Sequence, residues 1–182
     1  MKATSTKIKD VLIIEPEVFE DHRGWFMESY NKKKLAEAGI NIDFVQINHS
    51  FTKNKGTLRG LHLQKHPFSQ AKLVSCAKGG VLDVVVDLRK KSPTYKKWFS
   101  VELTEENKKQ LFIPRGFAHG ILSLTDNAEV FYKIDNHYNK ESERFIRYDD
   151  PEININWGND NPILIERDAG APSLKDCDIN FD

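Results

Sequence analysis

The strongest constraint on this chain is a recurring short run of β-branched and aromatic residues. Such runs occupy residues 11–14, 24–30, 44–50, 72–76, 81–88, 98–103, 110–113, 120–123 and 130–134. Between them lie turn-prone clusters: Asp21-His22-Arg23-Gly24, Lys78-Gly79-Gly80, Ser92-Pro93-Thr94 and Pro114-Arg115-Gly116. Branched and aromatic side chains suit a pleated, half-buried surface, whereas Gly, Pro and Asp supply the backbone angles of tight turns. That many short strands predicts an all-β sandwich or barrel. One helix of about two turns is expected over 32–38, with Asn31 as N-cap and Gly39 as its stop. In the tail after Asp149, Pro151, Pro162 and Pro172 interrupt any regular element, so extended segments and turns laid over the barrel are expected.

At 182 residues and 39% apolar composition the chain can bury one sizeable core, and residues 1–182 read as a single domain. Lys and Arg number 27 against 27 Asp and Glu, so no net field steers the protein toward nucleic acid or an anionic membrane. Cys76 and Cys177 lack metal-knuckle or redox spacing and make no disulfide framework. The first ten residues are polar, and the apolar run at 11–14 is too short for a signal-peptide core or a membrane span. A soluble protein in a reducing, cytoplasmic setting is expected.

Two histidine-bearing motifs stand out: Leu58-Arg59-Gly60-Leu61-His62-Leu63-Gln64 and Pro114-Arg115-Gly116-Phe117-Ala118-His119-Gly120. The second has the P-x-G-x-x-H spacing of a cupin barrel. Metal-binding cupins take H-x-H and a glutamate from the first motif and a further histidine from the second. Here Gln64 replaces the second histidine and no glutamate lies between His62 and Gly79, which leaves too few ligands for a tight divalent site. No metal is expected. Either histidine alone reads better as a hydrogen-bonded or surface residue. With Arg59, Lys72 and Tyr132 also facing inward, however, so many ionisable groups are too costly to bury without a polar ligand. A ligand pocket is the better reading.

The chain as a whole resembles the nucleotide-sugar 3,5-epimerases typified by dTDP-4-dehydrorhamnose 3,5-epimerase. The resemblance is carried by Asp21-His22-Arg23-Gly24-Trp25-Phe26-Met27-Glu28, Gln46-Ile47-Asn48, Leu58-Arg59-Gly60-Leu61-His62, Gln70-Ala71-Lys72-Leu73-Val74 and Asp83-Val84-Val85-Val86-Asp87-Leu88-Arg89. It continues through Ser92-Pro93-Thr94, the second histidine motif, Tyr132-Lys133 and Arg167-Asp168. The order and spacing of these segments are specific to the family, less so to one substrate. The resemblance implies a cupin-type double-stranded β-helix, or jelly roll, and a cofactor-independent isomerase.

The chemistry asks for a base on one face of the sugar, an acid on the other and a stabiliser for the enolate that forms beside the C4 ketone. By resemblance His62 is the base, Asp168 its orienting partner, Tyr132 the proton donor and Lys72 the group that steadies the enolate. His119 would bind substrate, with Asp83 as its supporting partner. Arg23 and Arg59 suit the diphosphate, Gln46 and Asn48 offer amides, and Glu28 could read a base N–H or a hydroxyl. Phe26 or Tyr138 could stack on the base. Glu143 and Arg167 match further binding positions. In this family some early residues serve the neighbouring subunit's pocket, which implies a homodimer.

On residue type alone several of these have plain readings: Tyr132 as a packed strand aromatic, Lys72 as a surface lysine, Asp168 as a turn residue and Arg23-Gly24 as a hairpin turn. The sequence departs from the family pattern at Leu63, at His137 and at Tyr148-Asp149-Asp150-Pro151. None of these removes a catalytic group. They leave open whether both C3 and C5 are inverted, whether the sugar is a hexose and whether the base is thymine. Rival readings are an epimerase acting at C3 or C5 alone, a non-catalytic nucleotide-sugar-binding cupin, which the presence of His62, Lys72, Tyr132 and Asp168 disfavours, and a metal-dependent cupin enzyme, which the ligand count disfavours.

Overall fold

The structure is a computed structural model and describes residues 1–181. The first half of the chain forms β1 (Lys2–Ser5), β2 (Leu12–Glu15), β3 (Val18–Asp21), β4 (Gly24–Met27), α1 (Lys32–Glu37), β5 (Gln46–Thr52), β6 (Leu58–Gln64), β7 (Lys72–Lys78) and β8 (Gly80–Asp87). The second half adds β9 (Trp98–Thr104), β10 (Gln110–Ile113), β11 (Phe117–Ser123), β12 (Ala128–Ile134), β13 (Glu143–Phe145) and α2 (Glu166–Ala169). Two antiparallel sheets face each other. One runs β1-β2-β10-β7-β12-β5, the other β13-β6-β11-β8-β9, and β3 and β4 form a separate hairpin. This is the cupin-type jelly roll.

Alternation along β8 shows how the layers are built. Val81 and Val85 join Val74, Leu111, Phe117 and Val130 between the two sheets. Val84 and Val86 point the other way, into a cluster with Leu61, Leu63, Ile146, Ile153, Trp157 and Leu174. Both faces of this strand are therefore buried, which explains its nearly unbroken apolar run. Asp83 shares the inner face with Val81 and Val85 and is fully buried. The outer face of the second sheet is covered by the tail, whose Asp150 accepts backbone N–H groups from Glu152, Ile153 and Leu174. The departure at Tyr148–Pro151 thus belongs to this cover.

α1 seals the outer face of the first sheet through Leu35, packed with Ile14, Leu73 and Phe112. Asn31 caps it, accepting from the Lys34 N–H at 3.1 Å, and Gly39 follows at φ +87°, a left-handed value that glycine adopts at little cost. Four strands were not foreseen. β1, β3 and β13 are only three or four residues long, and β6 is interrupted by Gly60. Besides the expected extended segments and turns, the tail carries α2, a four-residue turn of helix too short for a periodicity signal. Among the described residues no helix is long and apolar enough to cross a membrane.

Candidate active site

The two histidine motifs lie side by side. His62 on β6 is the cross-strand partner of His119 on β11. The register between these strands shifts just beyond the pair, where Gly60 sits at φ +144°. A Cβ there would lie 2.5 Å from Gly120 Cα, so β6 can approach β11 this closely only with glycine at 60. The Gly60 N–H donates to Asp168 Oδ2 at 3.2 Å, and His62 Nε2 lies 2.9 Å from Asp168 Oδ1. A carboxylate only accepts, so Nε2 carries the imidazole proton and Nδ1 is left as the basic nitrogen. Asp168 is 1% exposed. Burial pushes its carboxyl upward, but hydrogen bonds from His62, Gly60 and Arg167 outweigh that and hold it below the usual carboxylate range.

From the opposite sheet, Lys72 on β7 and Tyr132 on β12 line the same cavity of about 320 Å³ as His62, His119, Arg59, Glu143, Arg167 and Asp168. Burial lowers Lys72 to about 8, against the pull of Asp83 and Glu143. Burial raises the Tyr132 phenol, an effect that its hydrogen bond with Asn48 reduces, so Tyr132 keeps its proton at neutral pH. Asn48 stands directly across from Tyr132 on β5, and its amide oxygen accepts from Gln46 Nε2 at 2.7 Å. Asp83 receives His119 Nε2 at 2.9 and 3.0 Å. The cavity therefore holds a base candidate on one wall, a protonated phenol on the other and an ammonium on the phenol's sheet.

The rim is a polar chain. Arg167 sits over Phe145 with its guanidinium carbon 4.4 Å from the ring centre, donates to Asp168 at 3.2 Å and approaches Glu143 at 4.0 Å. Tyr138, largely exposed, donates its hydroxyl to Glu143 at 3.0 Å. Arg59 donates to Thr52 Oγ1 and the Phe51 carbonyl, both at 3.1 Å. Gln64, standing where a metal-binding cupin has its second histidine, spends its amide on loops: Nε2 donates to the Phe68 and His137 carbonyls, and Oε1 accepts from the Asn139 N–H.

Six expected binding residues lie outside this cavity, and of these Asn48 and Tyr138 line an adjoining pocket that shares His62, Lys72, Tyr132 and Glu143 with it. Arg23 and Phe26 sit on the β3–β4 hairpin, where Arg23 pairs with Asp21 at 2.6 Å and Phe26 is 69% exposed. Glu28 is held by Asn31 and Lys34. Gln46 reaches the site only through Asn48. Conversely, Ser50, Thr57, Ile121 and Ile165 line the cavity without having been singled out. Ser50 follows Gln46 and Asn48 at period two on β5, so strand alternation alone would have found it. Nothing in the sequence marks Ile165.

The family model for dTDP-4-dehydrorhamnose 3,5-epimerase matches residues 5–176. A Shigella flexneri protein of that name is 52% identical over 179 residues, covering 98% of each chain. The crystal structure of dTDP-4-dehydrorhamnose 3,5-epimerase from Elizabethkingia anophelis NUHP1 matches with a TM-score of 0.92 at 51% identity, over 97% of both chains. A dTDP-6-deoxy-D-glucose-3,5-epimerase from Legionella pneumophila Philadelphia 1, crystallised with dTDP-4-keto-L-rhamnose, matches at a TM-score of 0.91 and 44% identity, over 96% of this chain and 93% of that one. A cavity flanked by His62 and Tyr132, on a fold shared end to end with these proteins, places the chain in the dTDP-4-dehydrorhamnose 3,5-epimerase family.

Proposed function

We propose that this protein converts dTDP-4-dehydro-6-deoxy-D-glucose to dTDP-4-dehydro-L-rhamnose by inverting C3 and C5. The observation that carries the reading is that His62 and Tyr132 enter one cavity from two opposed sheets. The C4 ketone acidifies the hydrogens on C3 and C5. His62, neutral with its proton on Nε2, takes the carbon-bound proton, and Asp168 stabilises the imidazolium that forms. The electrons pass to the ketone oxygen, where the Lys72 ammonium meets the negative charge; preorganised charge of this kind is typically worth a factor of about 10²–10³. Tyr132 then delivers a proton to the carbon from the opposite face, which inverts the centre. No electron leaves the substrate, so a redox cofactor has no step to perform.

Arg59 and Arg167 at the mouth suit the diphosphate, Glu143 can accept from a hydroxyl of the ligand, and Tyr138 presents an exposed ring for stacking on the base. Metal chemistry is a poor fit to the donors: both imidazoles commit Nε2 to carboxylates, and the Lys72 ammonium stands among them. A cytoplasmic setting fits the free thiols Cys76 and Cys177.

The exposed hairpin supports a homodimer. Phe19 and Phe26, cross-strand partners on one face of the hairpin, are 55% and 69% exposed, an apolar surface that a second copy would cover. Arg23, Phe26 and Glu28 would then serve the neighbour's cavity. Mixing inactive Arg23→Ala and His62→Ala chains should restore part of the activity, and no recovery in a mixed dimer would confine the site to one chain.

Incubation with dTDP-4-dehydro-6-deoxy-D-glucose in deuterated water tests the reaction. Deuterium at both C3 and C5 is expected. Label at one centre only would make the protein a single-centre epimerase, and label at neither would overturn the reading.

A further inference from the structure

Two aspartate–histidine pairs share this cavity, yet they end differently. Each imidazole gives Nε2 to a buried carboxylate, His62 to Asp168 and His119 to Asp83. Each therefore carries its lone pair on Nδ1. In His119 that lone pair is occupied, for Nδ1 lies 3.5 Å from Lys72 Nζ. We propose that Asp83 and His119 are positioning residues for Lys72: they hold its ammonium toward the cavity and keep it charged, and the same contact bars His119 from acting as a second base. This rests on the reading of Lys72 as the group that stabilises the enolate.

The chain crosses the fold from one sheet to the other. Asp83 is on β8 and His119 on β11, diagonal neighbours on one face, while Lys72 projects from β7 opposite. Asp83 has no exposed surface, and a carboxylate buried on an apolar inner face needs compensation. His119 cannot supply a full charge, because burial pushes it toward the neutral form against the opposing pull of Asp83, and the nearby Lys72 acts in the same direction as burial. The compensating cation is Lys72. Its ammonium has three N–H donors; one spent on His119 leaves two for a developing oxyanion.

Other ionisable groups also face Lys72: Glu143 on β13, His62 and Arg59 on β6, and Tyr132 on β12. Arg167 and Asp168 of α2 line the far side of the same cavity. Of these, Asp83 and Glu143 are the anions that favour its charged form, Asp83 more strongly. Glu143 lies at the rim, shared with Tyr138 and Arg167, whereas Asp83 is sealed from solvent. Removing the Asp83 charge should therefore let burial lower Lys72 further.

The test is the pH dependence of kcat/KM for solvent exchange in the wild type and in Asp83→Asn. The alkaline limb is expected near pH 8 in the wild type and about one unit lower in the variant, a roughly fivefold loss at pH 8, with dTDP affinity unchanged. A folded variant whose limb stays in place overturns the proposal. Nitrogen-15 NMR of the histidines in the native protein gives a second readout that requires no variant to fold. His119 should be neutral with its proton on Nε2 at about pH 7, and an imidazolium or an Nδ1–H form there overturns the proposal. A wild type that exchanges nothing would refute the epimerase reading itself, while the NMR result would still decide the arrangement of His119.

Discussion

His62 Nε2 lies 2.9 Å from Asp168 Oδ1, joining residues 106 positions apart in the chain. The contact is fixed from two sides, because the other oxygen of Asp168 accepts the backbone N–H of Gly60, on the same strand as His62. The carboxylate is thus anchored to the strand whose imidazole it orients, and the tail must fold back over β6 before His62 acquires this partner.

Replacing Asp168 with Asn removes the charge that supports the imidazolium. Turnover should fall by about 10²–10⁴-fold with little change in dTDP affinity. Stability should respond as well. A carboxyl held below its ordinary range stabilises the fold above its unfolded pKa of about 3.9 and loses that contribution as pH falls through the folded value. Acid denaturation of the wild type therefore includes this loss below about pH 4, and the Asn variant should show a shallower slope there. Equal slopes would mean that Asp168 contributes nothing to acid stability.

Gly60→Ala should be among the most damaging single-methyl additions in the chain. The added Cβ meets Gly120 backbone at 2.5 Å, and φ +144° is strained for any side chain. A cost of about 2–4 kcal/mol is expected in urea unfolding, together with weaker activity as β6 shifts and the N–H to Asp168 lengthens. A variant of wild-type stability would show that the two strands can separate freely at this point.

Lys72 should give the enzyme an alkaline limit. Burial lowers it to about 8, so the free enzyme loses the ammonium as pH rises through that value, and kcat/KM should fall above it. Bound diphosphate adds negative charge nearby, which should move the limb seen in kcat to higher pH. Coincident limbs in the two profiles would remove substrate charge from this account.

The strands that pack on both faces were legible from residue pattern, and so was α1, because apolar runs and the Asn31 and Gly39 signals are local. β6 was not, since residues 58–64 contain no β-branched or aromatic strand former, and Gly60 is there for the close approach to Gly120. The histidine motifs indicated a pocket unaided. The role of Asp168 did not emerge from its surroundings, because α2 is one turn long and its partner lies 106 residues away; only family resemblance pointed to it. Arg23, Phe26 and Glu28 show the opposite limit: their sequence context resembles a binding segment, but they lie on or beside the β3–β4 hairpin, away from this chain's cavity.

Tyr132→Phe tests the central claim most directly. If His62 and Tyr132 act on opposite faces of the sugar, the variant should still exchange substrate hydrogen with deuterated water, because His62 can remove and return the proton on its own face, but the product should retain the original configuration. Continued inversion at both C3 and C5 at a near-normal rate would contradict the account.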